Sequence, residues 1–364
     1  MKLGIVGLPN VGKSTLFNAM TKAGAGATNY PFSTKDKNLG AVCIPDPRLG
    51  VLGEIYAAKK ITPAAIEFVD IAGLVKGAGR GEGLGNQFLA HIREVDAILH
   101  VVRCFDDELV PHVSDNLDPD RDIETIEFEL IFADIDMLGR REAKTLKQVK
   151  ADKRLEKELA LITKLKLHLE NGRRGASLDM DEDERVIASG FNLLTLKPVI
   201  FAANVNESDL SNNGADNPHA EKVIAAAQKE SAQAFIVCAQ IESEMAQLDD
   251  EEKQQFISEL GITLGGLDRL IKAAYDTLGL ISFLTVGPKE VRAWTIPYGT
   301  RAPQAAGKIH SDIERGFIRA EITKYDDLAR LRSEKAVKEQ GLMRLEGKEY
   351  VIQEGDVVLF RFNV

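Results

Sequence analysis

The residues best suited to chemistry form a compact run near the start of the chain, Gly7-Leu8-Pro9-Asn10-Val11-Gly12-Lys13-Ser14. The run fits the pattern G-x-x-x-x-G-K-[ST], in which glycines allow backbone N–H groups to curl around a phosphate. Lys13 is expected to reach the β- and γ-phosphates of a nucleotide, and Ser14 is expected to ligate Mg²⁺. The predicted nucleotide contacts from this segment are Asn10, Val11, Gly12, Lys13, Ser14 and Thr15.

Two further segments carry groups that a phosphate site needs. Asp70-Ile71-Ala72-Gly73 closes an apolar run, and a carboxylate at that position can hold the Mg²⁺ shell through water. The backbone N–H of Gly73 can approach a γ-phosphate because glycine has no side chain. Asn29-Tyr30-Pro31-Phe32-Ser33-Thr34 offers a hydroxyl that caps Mg²⁺ when the γ-phosphate is present. Thr34 is the predicted ligand, and Ser33 is a near-equal rival on chemistry alone.

The elements that must position these groups follow from apolar runs. Five strand candidates alternate with helical stretches, and one helix begins at Lys13, so an α/β fold with a mostly parallel sheet is predicted. The candidates are Lys2–Val6, Ala65–Ile71, Ala97–Val102, Pro198–Ala203 and Ala234–Cys238.

A helical insertion interrupts this pattern from Ile123 to about Leu194, where proline is absent. We expect two long antiparallel helices joined near residues 171–175, and an acidic helix start at Asp179–Glu184. Residues 140–174 contain 12 Lys or Arg and 5 Asp or Glu, a local charge of +7. Two interpretations stay open for this basic arm, which are an RNA-binding surface and a solvated helical pair.

A small α+β domain is predicted after about residue 280. Its strand candidates are Phe283–Val286, Arg292–Thr295, Phe317–Ile322, Glu349–Ile352 and Asp356–Phe362, with a helix near Gln304–Ile313. The expected domains are therefore 1–122 with 195–280 for the nucleotide, 123–194 for the arm, and 281–364 for the small domain.

Composition narrows the function classes. A net charge of −10 argues against non-specific nucleic-acid binding by the chain as a whole. No apolar run reaches the length of about 18 residues that a membrane span requires. The cysteines, Cys43, Cys104 and Cys238, have neither disulfide nor metal-ligand spacing, which favours a reducing cytoplasm.

Together these segments resemble the Obg branch of the translation-factor GTPases. The resemblance rests on Gly7–Ser14, Tyr30–Thr34, Asn38-Leu39-Gly40 and Asp70–Gly73. The inserted helices and the terminal domain are similar to those of one subfamily, YchF, the Obg-like ATPases, over essentially the whole chain. The resemblance implies an Obg-type G domain and a C-terminal TGS domain, a β-grasp module linked to RNA and ribosome binding.

The resemblance also bears on the choice of base. A guanine-specific relative carries [NT]-K-x-D after the fourth strand, whereas this chain has Asn204-Val205-Asn206-Glu207. That N-x-x-E variant implies a shift toward ATP, with base contacts at Asn204, Val205, Glu207 and Ala239 and a softer one at Asn206. Thr323-Lys324-Tyr325-Asp326 fits the guanine pattern, but it lies in the terminal domain and is interpreted as a decoy.

The residue that would orient the attacking water is not evident. Many relatives place Gln immediately after D-x-x-G, and here that residue is Leu74. His112, in a polar loop after the third strand, is the favoured candidate, and a solvated loop histidine is the alternative. The resemblance further implies that Asn10 helps to hold K⁺ beside the phosphates.

The leading hypothesis is a cytoplasmic, monomeric, Mg²⁺-dependent ATPase that engages the ribosome, its large subunit or RNA, and binds GTP more weakly. Two rivals remain. One is a GTPase of the same fold acting in ribosome assembly, and the other is a nucleotide-binding regulatory module with incidental turnover, which Leu74 motivates.

Overall fold

The computed structural model describes residues 1–23, 38–72, 83–107, 109–112, 116–259 and 266–363. These residues belong to two compact units. The first contains the described parts of 1–23, 34–40 and 67–270, and the second contains Ala41–Ile66 and residues 271–363. The sequence had placed residues 41–66 in the nucleotide-binding domain, whereas their contacts group them with the C-terminal part.

Most strands come from short apolar or β-branched runs, and β11, with the sequence Arg-Leu-Glu, is a mostly exposed exception. In chain order they are β1 Lys2–Val6, β2 Leu39–Cys43, β3 Ile61–Thr62, β4 Ala65–Asp70, β5 Ala97–Arg103, β6 Val199–Asn204, β7 Gln233–Val237, β8 Leu280–Thr285, β9 Val291–Pro297, β10 Phe317–Lys324, β11 Arg344–Glu346 and β12 Asp356–Phe362.

The helices lie between these strands along the chain. They are α1 Lys13–Ala23, α2 Arg48–Tyr56, α3 Gly83–Glu94, α4 Pro119–Gln148, α5 Glu156–Glu170, α6 Glu182–Ser189, α7 Pro218–Lys229, α8 Ala239–Met245, α9 Asp250–Glu259, α10 Gly266–Thr277, α11 Ala302–Ile309, α12 Ser311–Arg315, α13 Tyr325–Leu331 and α14 Glu334–Glu339.

The first sheet has the order β2-β4-β1-β5-β6-β7, and its residues belong to the first unit except for the last three of β2 and the first two of β4. The pairings β4–β1, β1–β5, β5–β6 and β6–β7 are parallel. Every residue of β5 and β6 is buried, as expected for central strands covered on both faces. The predicted mostly parallel α/β fold is confirmed, and the carboxyl ends of β1, β5 and β6 meet at one edge of the sheet.

The inserted arm differs from the prediction in the place where its helices join. α4 runs for 30 residues to Gln148, and α5 returns from Glu156, so the connection lies at 149–155. The Asn171-Gly172 signal instead ends α5, because Gly172 takes a left-handed φ of 71°. The expected connection near residues 171–175 is therefore wrong. Leu138 of α4 packs with Leu161 and Leu165 of α5 in a core of the arm.

The second unit has a sheet in the order β11-β10-β12-β8-β9-β3. Helix α11 covers one face, where Ala302, Ala305 and Ala306 pack beside Phe283 and Phe360. A second core joins Leu49 and Leu52 of α2 to Leu284, Val291 and Val357. The expected second sheet in the C-terminal part is confirmed.

Two local expectations for this unit are wrong. Glu349–Ile352 forms no strand: within this range Val351 makes only an isolated bridge, to Arg301. The strand at the edge of the sheet, beside β10, is instead β11. The helix expected over Gln304–Ile313 is divided at His310, whose extended backbone (φ −163°) ends α11 and whose ring accepts from the N–H of Asp312 at the start of α12.

Candidate functional site

The phosphate loop connects β1 to α1 at the carboxyl edge of the first sheet. Asn10 and Gly12 take left-handed φ angles of 64° and 88°, which curl the backbone before the helix begins at Lys13. A Cβ at Gly12 would come within 2.2 Å of the Asn204 side-chain nitrogen, and one at Gly7 within 2.7 Å of the Val101 carbonyl. The close approach of neighbouring strands therefore requires glycine at both positions.

Lys13, Ser14 and Asp70 meet where the loop opens. The Lys13 ammonium donates to Asp70 Oδ1 at 2.5 Å, and the Ser14 hydroxyl donates to Asp70 Oδ2 at 3.1 Å. A hydroxyl and a carboxylate side by side are oxygen donors of the kind that Mg²⁺ takes in nucleotide sites. The residues present thus fit a Mg²⁺–nucleotide complex, with Lys13 supplying the positive charge beside it.

A cavity of about 670 Å³ extends from this cluster along the sheet edge. Its size lies within the usual range of about 300–1,000 Å³ for small-molecule sites. The predicted nucleotide residues that line it are Asn10, Gly12, Lys13, Ser14, Thr15, Asn204, Val205, Glu207 and Ala239, together with Asn206. The phosphate loop and the predicted base-side segments therefore share one cavity.

Asn204 joins the two ends of this cavity. Its buried side-chain amide donates to the Val11 carbonyl at 2.9 Å, and its Oδ1 accepts from the backbone N–H of Ala239 at 2.9 Å. Both ends of the side chain are thus used to hold backbone. Val11 does not line the cavity, and its carbonyl is the point at which Asn204 holds the phosphate loop. The side chain of Asn204 consequently positions the phosphate loop and the start of α8.

Several cavity residues were not singled out from the sequence. They are Leu8, Pro9, Phe105, Asp107, Val110, Gln240, Ser243 and Glu244. Cys238 also lines the cavity, and burial raises the pKa of its thiol. They lie after β1, after β5 and in α8 after β7, so their position at the carboxyl ends of these strands was the available signal.

Arg103 holds one wall of the cavity and was missed. It is buried at the end of β5, where its guanidinium donates to the carbonyls of Phe105 (3.0 Å), Val110 (2.8 Å) and, at 3.4 Å, Asn10. These contacts connect the segment after β5 to the phosphate loop. The signal in the sequence was an arginine that ends an otherwise apolar strand.

Glu242 supports the other wall from within α8. It is buried, and its carboxylate accepts from the backbone N–H of Leu267 at 3.0 Å, at the start of α10. Burial raises the pKa of Glu242 to about 7. Helix α8 is thus attached to α10 by a carboxyl group that gains a proton near neutral pH.

His112 lies beside the phosphate loop without lining the cavity. The side-chain amide of Asn10 donates to the carbonyl of the preceding Pro111 at 2.9 Å. The ring itself is nearly buried, with 8% of its side chain exposed, and its Nε2 lies 2.9 Å from Asp122 Oδ2. It is therefore not a solvated loop histidine, and its role toward water stays a prediction.

Other predicted residues lie elsewhere. Thr34, its rival Ser33, Gly73 and Leu74 are outside the described residues. Thr323-Lys324-Tyr325-Asp326 spans the end of β10 and the start of α13 in the second unit, where Lys324 pairs with the buried Asp356 at 2.7 Å. None of the helices in the described part of the chain is both long and apolar enough to cross a membrane.

Comparisons with known proteins cover the whole chain. A family model described as a 50S ribosome-binding GTPase matches residues 2–138, and a model for the C-terminal part of YchF GTPases, described as a protein of unknown function, matches residues 280–363. The chain is 52% identical over 364 residues to the ribosome-binding ATPase YchF of Pasteurella multocida (strain Pm70), covering 100% of this chain and 99% of that protein.

Two more relatives agree with these matches. The protein of the same name from Bacillus subtilis (strain 168) is 52% identical over 362 residues, which cover 99% of each chain. The solved structure of the Schizosaccharomyces pombe YchF GTPase superposes with a TM-score of 0.90 at 38% identity, covering 99% of this chain and 97% of that one.

Proposed function

The chain belongs to the YchF family, and from that premise we propose that it is a Mg²⁺-dependent ATPase that binds ribosomes. The family membership confirms the resemblance that the motifs indicated. The observation that carries the proposal is the cluster of Lys13, Ser14 and Asp70 at the mouth of the cavity. The relatives' names, which combine ribosome binding with ATPase activity, support the same proposal.

Each group of the cluster has a distinct task in this proposal. Ser14 and, through water, Asp70 would hold Mg²⁺, with Thr34 as a further ligand. Bound Mg²⁺ supplies positive charge that neutralises the phosphate oxygens. Lys13 binds the β- and γ-phosphate oxygens, and the backbone N–H groups from Asn10 to Thr15 bind the phosphates from the side of the helix N-terminus. Catalysis then consists of positioning and charge stabilisation.

Replacing Lys13 or Ser14 by alanine tests this core directly. We expect Mg²⁺–ATP hydrolysis to fall by at least about 100-fold, because an organised charge or donor at the phosphates is lost. Lys22→Ala is the matched control, since it removes the same charge from the other end of α1, where the side chain is exposed. Equal activity of Lys13→Ala and Lys22→Ala would contradict the proposal.

His112 is proposed to orient the attacking water, with the N–H of Gly73 at the γ-phosphate. The position after D-x-x-G is Leu74, which has no polar group for this task. The support is that His112 follows Pro111, whose carbonyl is bonded to Asn10 of the phosphate loop. His112→Ala should lower single-turnover hydrolysis about 100-fold or more while leaving ATP affinity unchanged.

ATP is proposed to bind more tightly than GTP. Val205 and Glu207 line the cavity at the positions where the guanine pattern has Lys and Asp. The S. pombe relative is named a GTPase, so a GTP preference is the competing hypothesis. Equilibrium binding of both nucleotides decides between them, and Val205→Lys with Glu207→Asp should move the preference toward GTP. Asn204 is retained in this variant because it supports the loop.

Ribosome binding is proposed to use the basic arm and the C-terminal domain, interpreted as a TGS domain with a β-grasp sheet. Lys144, Lys147, Lys150 and Lys153 are exposed near the connection of α4 and α5 and take part in no ion pair among the described residues. Their conversion to Gln should weaken co-sedimentation with ribosomes, or large subunits alone, and flatten its salt dependence.

A control for this surface lies on the same arm. Lys157 and Lys164 are already paired with Asp183 and Glu184, so their conversion to Gln removes charge without removing an unpaired cation. The arm would be only a solvated helical pair if ribosome binding is unchanged in the variant of the four unpaired lysines. The same conclusion would follow if binding falls equally in that variant and in the Lys157 and Lys164 control.

The remaining parts of the proposal have direct measurements. Hydrolysis in K⁺ and in Na⁺ at equal ionic strength tests whether Asn10 participates in a K⁺ site. Light scattering of the purified protein tests the monomer, and fractionation of cells tests the cytoplasmic location that ribosomes as partners imply. A regulatory module with incidental turnover would show tight ATP binding with no hydrolysis in the wild-type protein.

A further inference from the structure

Asp122 is a carboxylate at the start of α4, the helix that continues into the arm, and it contacts the ring of the proposed water-positioning histidine. It lies in the first turn of α4, and 4% of its side chain is exposed. Its Oδ2 is 2.9 Å from His112 Nε2. Because an ionised carboxylate only accepts hydrogen bonds, Nε2 carries the proton of this contact.

The contact turns His112 toward the arm and away from the nucleotide. Phe105, Asp107 and Val110 from the same connection line the cavity, whereas His112 does not. The backbone beside it is fixed, since Pro111 is bonded to Asn10 and Val110 to Arg103. A change in the direction of the ring is therefore the movement that the proposed role of His112 requires.

We propose that Asp122 is a latch that holds His112 out of the cavity, so that the arm controls hydrolysis. Asp122 is a positioning residue, which acts only through His112, and the inference rests on the proposed role of that histidine. The contact is a hydrogen bond to a charged group in a nearly buried place, where such bonds are strong. Hydrolysis then requires that the latch opens.

The arm is built to transmit that opening. α4 is continuous for 30 residues from Pro119, so Asp122 and the lysines near its far end belong to one helix. A helix of this length is a stiff element of about 45 Å. The proposed ribosome surface at Lys144 and Lys147 is thereby connected to the latch. A partner that displaces the far end of α4 shifts the carboxylate that holds His112.

Asp122→Asn is the primary test, because it keeps the shape of the side chain and removes its charge. The single-turnover rate of Mg²⁺–ATP hydrolysis without ribosomes should rise about tenfold, the effect of losing a charge-assisted hydrogen bond. The KM for ATP should stay unchanged. Asp120→Asn is the matched control: Asp120 lies in the same turn but pairs with Lys222 at 3.3 Å, and its variant should keep the parent rate.

The double variant separates this inference from the function on which it rests. If His112→Ala lowers the rate and Asp122→Asn no longer raises it in that background, the latch is supported. A rate that falls or stays constant in Asp122→Asn, or that rises equally without His112, would overturn the latch. A rate that is insensitive to His112→Ala would instead refute the proposed role of the histidine.

A measurement on the wild-type protein covers the case in which Asp122→Asn does not fold. In protein labelled with ¹⁵N-histidine, the His112 resonance is identified by its absence from His112→Ala. The latch requires a protonated Nε2 whose hydrogen exchanges slowly with water in the absence of nucleotide. Rapid exchange at Nε2, or a proton on Nδ1 alone, would contradict the contact.

Discussion

At the scale of single residues, the sequence predicted which residues line the proposed nucleotide cavity. It was less informative about the role of each side chain there. Lys13, Ser14 and Asp70 could be predicted because their motif fixes both residue type and spacing, and the structure brings them together. Asn204 was predicted as a base-side contact, but its side chain bridges two backbone segments. That role depends on β6 lying beside the phosphate loop, which no local pattern encodes.

Asn204→Ala should therefore impair the site without changing its preference for a base. Loss of the two hydrogen bonds is expected to lower the free energy of unfolding by about 2 kcal/mol. ATP and GTP affinities should fall by the same factor, because the phosphate loop is displaced for both. Denaturant unfolding and equilibrium binding measure the two effects. Asn18→Ala, at an exposed position of α1 that does not line the cavity, is the control, and a change in the ATP-to-GTP ratio in Asn204→Ala would argue against this role.

Glu242→Gln should change how stability depends on pH. Burial raises the folded-state pKa of Glu242 from its ordinary value of 4.5 to about 7. The folded state therefore keeps a proton that the unfolded state has lost, and the stability from this group is present below pH 4.5 and is lost as pH rises to 7. Glutamine does not titrate, so the variant should gain stability relative to the wild type over this interval. Thermal melts from pH 4.5 to 7.5 measure it, and parallel curves would contradict the raised pKa.

At the scale of elements, apolar runs predicted five of the six strands of the first sheet to within about two residues at each end, and β2 at its edge was not predicted. The start of α6 was also predictable, because Asp181 and Glu184 form a reciprocal cap. The connection in the arm was placed wrongly, since Asn171-Gly172 is a strong end signal while the true connection at 149–155 has neither glycine nor proline. In that connection the side chain of Asp152 accepts a hydrogen bond from the N–H of Arg154. The amino-acid composition of the segment did not predict this contact.

Asp134 attaches α4 to the segment that leads into β6, which gives a prediction at this scale. Its buried carboxylate accepts from the backbone N–H groups of Leu194 (3.0 Å) and Thr195 (2.8 Å) and from the Thr195 hydroxyl (2.7 Å). Asp134→Ala leaves these buried donors without an acceptor, so a loss of about 3 kcal/mol is expected. Hydrogen exchange should show the loss around residues 194–196.

The control for this prediction is Asp136→Ala, two residues along the same helix. Asp136 is exposed, and its one ion pair with a described residue is to the similarly exposed Arg140. Such a surface pair contributes about 0–1 kcal/mol, so the control should remain close to the wild type in a denaturant titration. Similar losses in both variants would mean that Asp134 does not anchor the arm.

At the scale of the whole molecule, the mostly parallel first sheet and a separate C-terminal α+β part followed from the order of elements, but the membership of residues 41–66 did not. β3 has two residues, too few for a periodic signal, and it pairs with Val291 and Arg292 of β9. Helix α2 contributes Leu49 and Leu52 to the same core. The sequence could not predict this arrangement because the pairing partner lies some 230 positions away.

A chain of residues 271–363 alone should consequently be incomplete. Without Leu49 and Leu52, the side chains of Leu284 and Val357 lose their cover, and about 4 kcal/mol of apolar burial is removed. We expect this fragment to bind hydrophobic dyes and to melt over a broad range. Joining residues 41–66 to it by a Gly-Ser linker should restore a sharp transition. Cooperative melting of the shorter fragment would show that α2 and β3 are dispensable.

The pairing of β3 with β9 also determines the order in which parts of the nascent chain can fold. Ile61 is synthesised some 230 residues before Val291. At the usual synthesis rates, α2 and β3 wait roughly 10–50 s for their sheet, with leucines uncovered. The C-terminal sheet thus closes only near the end of translation, and the early segment is the part of this protein that a chaperone is expected to hold.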